Sequence, residues 1–200
     1  MRILVITAHP DDLEMNMGGT VKKLADKGDI IDNVVLCGDN SRKKYLDQTT
    51  KILKYNSIFY SLDEDRPVMS NHLVSDFEDW LQHNDKTATL KEYGMIITHW
   101  KEDWHQDHRT CYNLTRSLQR NIVCDIMYMD AFPYNYKYAN FEANVYVDIS
   151  QEMFNKEQAI LKFKNLDSSW SDRIKSYNFY RGAFIKTSYA ECFKLETMIM

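Results

Sequence analysis

Two hydrophobic patterns alternate along most of this chain. Short aliphatic or β-branched runs recur at residues 3–6, 30–37, 57–60, 95–97 and 125–129, and each reads as a buried strand. Between them the apolar positions fall at helical spacing. Val21, Leu24 and Ala25 follow Gly18-Gly19-Thr20 and stop near Gly28. Tyr45, Thr49, Ile52 and Leu53 share a face over residues 42–56, Leu73, Val74, Phe77, Trp80 and Leu81 do so over 71–83, and a further helix is expected over 106–120. Strand–helix alternation of this length predicts an α/β fold, with a parallel sheet covered by helices and right-handed crossovers. The remainder changes character: a strand at 144–149, a helix at 151–164, then a tail rich in Tyr, Phe and Lys. Without repeat, linker or low-complexity tract, residues 1–200 are expected to form a single domain.

Composition narrows the function classes. The formal charge of −4 supplies no basic field for nucleic acid or an anionic membrane surface. No apolar stretch approaches the roughly 18 residues needed to span a bilayer, so no integral membrane segment is expected. Cys37, Cys111, Cys124 and Cys192 are scattered, with no C-x-x-C pair, which points to free thiols in a reducing compartment. The first strand begins after two residues, leaving no room for a secretory signal, and a cytoplasmic location is expected.

The chemistry collects at two strand ends. His9-Pro10-Asp11-Asp12 follows the first apolar run, and Asp103-Trp104-His105-Gln106-Asp107-His108 follows the run at 95–97. Open α/β sheets keep ligand sites at the C-terminal ends of their strands. A catalytic zinc site needs about three protein ligands and an open position for water, and His9, Asp12 and His108 can supply them. Asp11 is then left beside the ligands, suited to act as a general base on a water made acidic by the metal. A protonated His105 could stabilise an oxyanion or protonate a leaving amine. Asp107 could accept a ring N–H and fix a histidine's tautomer. His99 competes as a ligand, with a structural role preferred. Taken alone, Asp11-Asp12 is as readily a helix cap, and Asp107 could cap the next helix; the convergence of both clusters is what favours a site. Gly18-Gly19 lacks a third glycine and follows an acidic loop, which weakens a dinucleotide reading.

These residues resemble the LmbE-like, or PIG-L-like, family of zinc-dependent de-N-acetylases. Ala8-His9-Pro10-Asp11-Asp12 with Gly18-Gly19-Thr20 reproduces its first motif, and His105-Gln106-Asp107-His108-Arg109 its second. Weaker similarity continues through Val147-Asp148-Ile149-Ser150, Arg181-Gly182 and Tyr189-Ala190-Glu191-Cys192-Phe193. The resemblance implies a Rossmann-like three-layer fold and hydrolysis of an N-acetyl group from a small-molecule amino sugar. It implies Zn2+, or Fe2+, on His9, Asp12 and His108, with Asp11 as base and His105 as electrostatic or acid partner. It maps substrate contacts onto Arg42 and onto Asp63 or Asp65; Trp104, beside His105, could stack on a sugar face. Family members often assemble, so a homo-oligomer is expected. Asn16 stands where the family commonly has glycine, and the Arg42 helix lacks the family's following Glu. The rival readings are hydrolysis of another amide or an ester, and a non-catalytic carbohydrate-binding module.

Overall fold

The computed structural model describes residues 1–38, 40–60, 69, 71–130, 141–164, 166 and 169–199, and of residues 40, 41 and 71 the backbone only. The apolar runs become strands β1 (Arg2–Thr7), β2 (Ile30–Val35), β3 (Asn56–Phe59), β4 (Met95–His99), β5 (Asp125–Met129) and β6 (Val145–Asp148). A further strand, β7 (Ala190–Thr197), lies in the tail rich in Tyr, Phe and Lys, for which no element was expected. The helices are α1 (Asp12–Asp26), α2 (Asn40–Leu53), α3 (Asn71–His83), α4 (Gln106–Leu118), α5 (Met153–Ile160) and α6 (Ser169–Ala183).

The strands form one mixed sheet in the order β3-β2-β1-β4-β5-β7-β6. Pairs β3-β2, β2-β1, β1-β4 and β4-β5 are parallel, and β7 runs antiparallel to both β5 and β6. The α/β, mostly parallel architecture is therefore as expected. From β1 the chain moves outward through α1 to β2, whereas from β4 it moves the other way through α4 to β5. The two connections diverge and leave a crevice above the C-terminal ends of β1 and β4, the topological switch point at which open sheets bind ligands.

Strand β1 shows why both faces must be covered. Leu4 and Ile6 point into one core with Val74 and Phe77 of α3 and Cys111 and Leu114 of α4. Ile3 and Val5 point into the opposite core with Leu13, Met17 and Val21 of α1, Leu53 of α2 and Ala159 of α5. Period-2 alternation thus divides one apolar run between two helical layers. Each such side chain contributes about 1.5–3 kcal/mol when fully buried.

Several elements differ from expectation. Helix α1 begins at Asp12, not at Gly18, because its first turns bury polar side chains, including Asp12, Glu14 and Asn16, and so show no apolar stripe. Helix α2 ends at Leu53: Lys54 takes φ 64° and breaks it, and Asn56 already belongs to β3. Helix α6 was not expected either. Its buried face is Ser171, Ile174, Asn178 and Gly182, while Phe179 and Tyr180 are exposed, so hydrophobicity does not report its inner side.

A buried ionic cluster ties the late elements to α1. Met17 has non-helical angles (φ −144°, ψ 18°), which interrupt the helix. Beyond the break the Gly19 and Thr20 amides donate to the Glu191 carboxylate at 3.0 and 2.6 Å. Lys156 Nζ donates to Glu191 at 2.6 Å and to Asn178 Oδ1 at 2.9 Å, with no solvent exposure of the ion pair. Glycine is required at 19 because a Cβ there would lie 2.8 Å from three side-chain atoms of Ile149. The Gly-Gly-Thr and Tyr-Ala-Glu signatures are thus two halves of one contact.

Candidate metal centre and active site

The loop after β1 and the turn after β4 meet in the crevice. Helix α1 starts immediately behind Asp11, whose φ of 112° is costly for a residue with a Cβ. That turn folds Asp12 back, and its Oδ2 accepts the His9 backbone N–H at 2.7 Å. Asp12 therefore caps its own loop while keeping its carboxylate in the crevice. Its Oδ1 lies 3.3 Å from His108 Nε2 and its Oδ2 lies 3.3 Å from His99 Nε2. Burial would raise the Asp12 pKa, but His108 and His99 outweigh it and hold the carboxyl well below the usual range.

Each histidine is oriented by a carboxylate or a backbone group. His108 donates from Nδ1 to Asp103 Oδ2 at 2.7 Å, which leaves Nε2 facing Asp12. His9 donates from Nε2 to Asp107 Oδ2 at 3.0 Å, and its Nδ1 stands 3.6 Å from Asp12. Asp107 thus fixes the ring of His9, a role the sequence suggested without naming which histidine it serves. His105 caps α4, its Nδ1 accepting the Asp107 amide at 3.3 Å, so its proton sits on Nε2. Burial, His108 and His9 all push the His105 pKa down. Burial opposes charge on His9, but hydrogen bonds to Asp12 and Cys37 raise it to about 11. Burial opposes charge on His108 too, yet Asp12 and Asp103 raise it to about 9. His99 is pushed down to about 4 by burial and by His108.

Asp11 is buried beside Asp12, and both burial and that neighbour push its pKa well up. Arg42 Nη1 lies 3.9 Å from Asp11 Oδ2 and, together with His9, offsets this. A cavity of about 210 Å³ opens over His9, Asp11, Asp12, His105 and His108, with Arg42, Met15, Leu166 and Trp170 among its walls. Ligand atoms of His9, His105 and His108 lie within 4.8 Å of one another, as do those of Asp12, His99 and His108. These donors are imidazole nitrogens and carboxylate oxygens, the set that suits a divalent transition metal once the imidazoles give up their protons.

The expected residues converge, with two exceptions. Trp104 is 56% exposed and lies outside the described lining of the cavity, because it precedes the cap of α4 and its ring turns outward. Asp63, with Asp65, lies outside the described residues. Sequence reasoning missed Asp103, which caps the turn by accepting the His105 amide at 2.8 Å while orienting His108. It missed Trp170 as well, since α6 carries no readable stripe. Glu14 is a further residue that the motif spacing does not single out. It accepts from Thr49 at 2.5 Å and Tyr55 at 2.6 Å, joining α1 to the helix that carries Arg42.

Comparison with known proteins agrees with this arrangement. The family model described as GlcNAc-PI de-N-acetylase (PIG-L) matches residues 4–119, which hold both strand ends and both histidine clusters. The chain belongs to that family, a family of deacetylases. An uncharacterized deacetylase of Escherichia coli K12, YaiS, is 28% identical over 169 residues, covering 80% of this chain and 88% of its own. The fold matches N,N'-diacetylchitobiose deacetylase from Pyrococcus horikoshii with a TM-score of 0.76 at 20% identity, covering 98% of this chain and 83% of that one. It also matches GalB, a 4-carboxy-2-hydroxymuconate hydratase from Pseudomonas putida KT2440, with a TM-score of 0.82 at 14% identity over 100% and 97% of the two chains. Among the described residues no helix is long and apolar enough to cross a membrane.

Two predictions come from this geometry. Asp103→Asn removes the carboxylate behind His108 and is expected to weaken zinc affinity about 10–100-fold, read by competition with a chromophoric chelator. Unchanged affinity would detach His108 from metal binding. The second concerns pH. In the metal-free chain His9 and His108 hold protons more tightly folded than unfolded, so they stabilise fully below about 6.5 and this contribution is lost as pH rises through about 9. Urea melts in chelator should show stability falling over that interval. A flat or rising profile would contradict the ionic network drawn around Asp12.

Proposed function

We propose that this protein is a metal-dependent hydrolase that removes the acetyl group from an amino sugar or sugar conjugate. The observation that carries the reading is one crevice holding a buried aspartate pair beside His9, His105 and His108, within a chain of the deacetylase family. The deacetylase of chitobiose that shares the fold supports the amino-sugar substrate.

His9, Asp12 and His108 are the proposed holders of the metal, most simply Zn2+. They are preferred to a set with His99, which has no solvent exposure and does not line the cavity. When bound, the ion supplies Lewis acidity at the acyl oxygen and makes a nearby water more acidic. Asp11 takes a proton from that water as its oxygen attacks the amide carbon. Burial and Asp12 raise the proton affinity of this carboxylate, which suits it to accept a proton from water. His105 donates its Nε2–H to the acyl oxygen as charge develops there. Breaking the C–N bond then needs a proton on the leaving nitrogen, which Asp11 returns. Acetate and the free amine leave, and Asp11 is again a carboxylate.

Hydrolysis of another amide or an ester is the second reading, because the same metal, base and oxyanion donor would serve any acyl carbon and the scaffold does not fix the substrate. A panel of N-acetylated sugars, acetyl esters and N-acyl amino acids separates the two. Within the lead reading, Asp11→Asn is expected to keep its metal and lose about 10²–10⁴-fold in kcat. Near-normal turnover with metal bound would remove Asp11 from the base role.

A further inference from the structure

The cavity has a second kind of wall. Met15 follows Asp12 by three residues on α1 and so stands about one turn along the same face. It packs with Ile160 of α5 and Ile174 of α6, and Leu166 and Trp170 lie against that cluster. Met15, Leu166 and Trp170 all reach the cavity, giving it an apolar flank opposite in character to its carboxylates and imidazoles.

Trp170 is held firmly from several directions. Its ring lies 5.7 Å from the Arg173 guanidinium, and its helix is anchored at the far end by Arg181, which donates to Asp130 at 2.6 Å and to Tyr177 at 2.6 Å. Midway, Asn178 accepts from buried Lys156 and donates to the Ala190 carbonyl at 2.9 Å. A surface so fixed costs little entropy to use in binding.

We propose that Trp170, backed by Met15 and Leu166, receives the non-polar face of the sugar ring that bears the acetamido group, and that it is a specificity-determining residue. The inference rests on the amino-sugar reading above. A pyranose carries C–H groups on its faces and hydroxyls at its rim, which matches an apolar flank combined with Arg42 and Asp11 across the cavity. Exposed Trp104 has no part in this contact.

The test uses zinc-loaded protein and two substrates, N-acetylglucosamine and the ringless N-methylacetamide, with acetate release as readout. Trp170→Ala is expected to lower kcat/KM for the sugar about 10–200-fold, mainly through KM, and to leave N-methylacetamide unaffected. Trp170→Phe should recover most of the loss, and Trp104→Ala should behave as wild type. Equal losses on both substrates, or none on the sugar, would overturn the assignment while leaving the deacetylase reading intact. A binding readout separates the two ideas further. In protein labelled with 5-fluorotryptophan, glucosamine should shift the Trp170 fluorine resonance and leave that of Trp104 in place. That shift without acetate release would keep the sugar-facing wall and reject the reaction; a shift at Trp104 alone would reject the wall.

Discussion

The site depends on a single buried charge. Asp12 is almost wholly removed from water, yet its surroundings keep it ionised, and an uncompensated carboxylate there would cost several kcal/mol. The chain meets that demand with the His9 amide at 2.7 Å and with the His108 imidazole at 3.3 Å. In the metal-free chain the compensating positive charge is the protons on His9 and His108. A divalent cation can replace those protons, because it needs the same nitrogens neutral and the same carboxylate ionised. In the proposed site, protons and metal compete for one place, which Asp12 creates.

The rest of the fold serves to keep that carboxylate where it is. The left-handed turn at Asp11 is strained, and such strain persists only where the surrounding structure over-determines it. Here the surroundings are the parallel pairing of β1 with β4, which aligns the two strand ends, and the interrupted helix α1. The interruption after Asn16 exposes amides that Glu191 accepts, and Glu191 in turn requires Lys156. A strand added near the end of the chain thus reaches back to fix the helix that opens the site. The GalB hydratase shares this scaffold, as does the chitobiose deacetylase, so the substrate is set by the crevice and not by the sheet.

The first half of the chain was readable because its strands are apolar runs and its site residues sit in short clusters at their ends. His9, Asp11, Asp12, His105, Asp107 and His108 all came from that simple rule and all meet in the crevice. The later chain was opaque for a physical reason. Strand β7 carries Glu191 inward to a buried ion pair, which breaks the alternation a strand should show. Helix α6 buries Asn178 and Gly182 and exposes Phe179, the reverse of an amphipathic pattern. Trp170 could not be found from such a helix, and Trp104 was favoured only for its place beside His105. Asp103 was visible in the sequence, but nothing local says which of several neighbouring carboxylates faces a histidine.

The central claim is that Asp12 creates a metal site on which hydrolysis depends. The most direct test is metal content per chain in tag-free protein, wild type beside Asp12→Ala, with both checked for folding by circular dichroism. The account predicts about one transition metal per wild-type chain and its loss from the folded variant. A folded wild type that holds no metal and takes up no added zinc would contradict it.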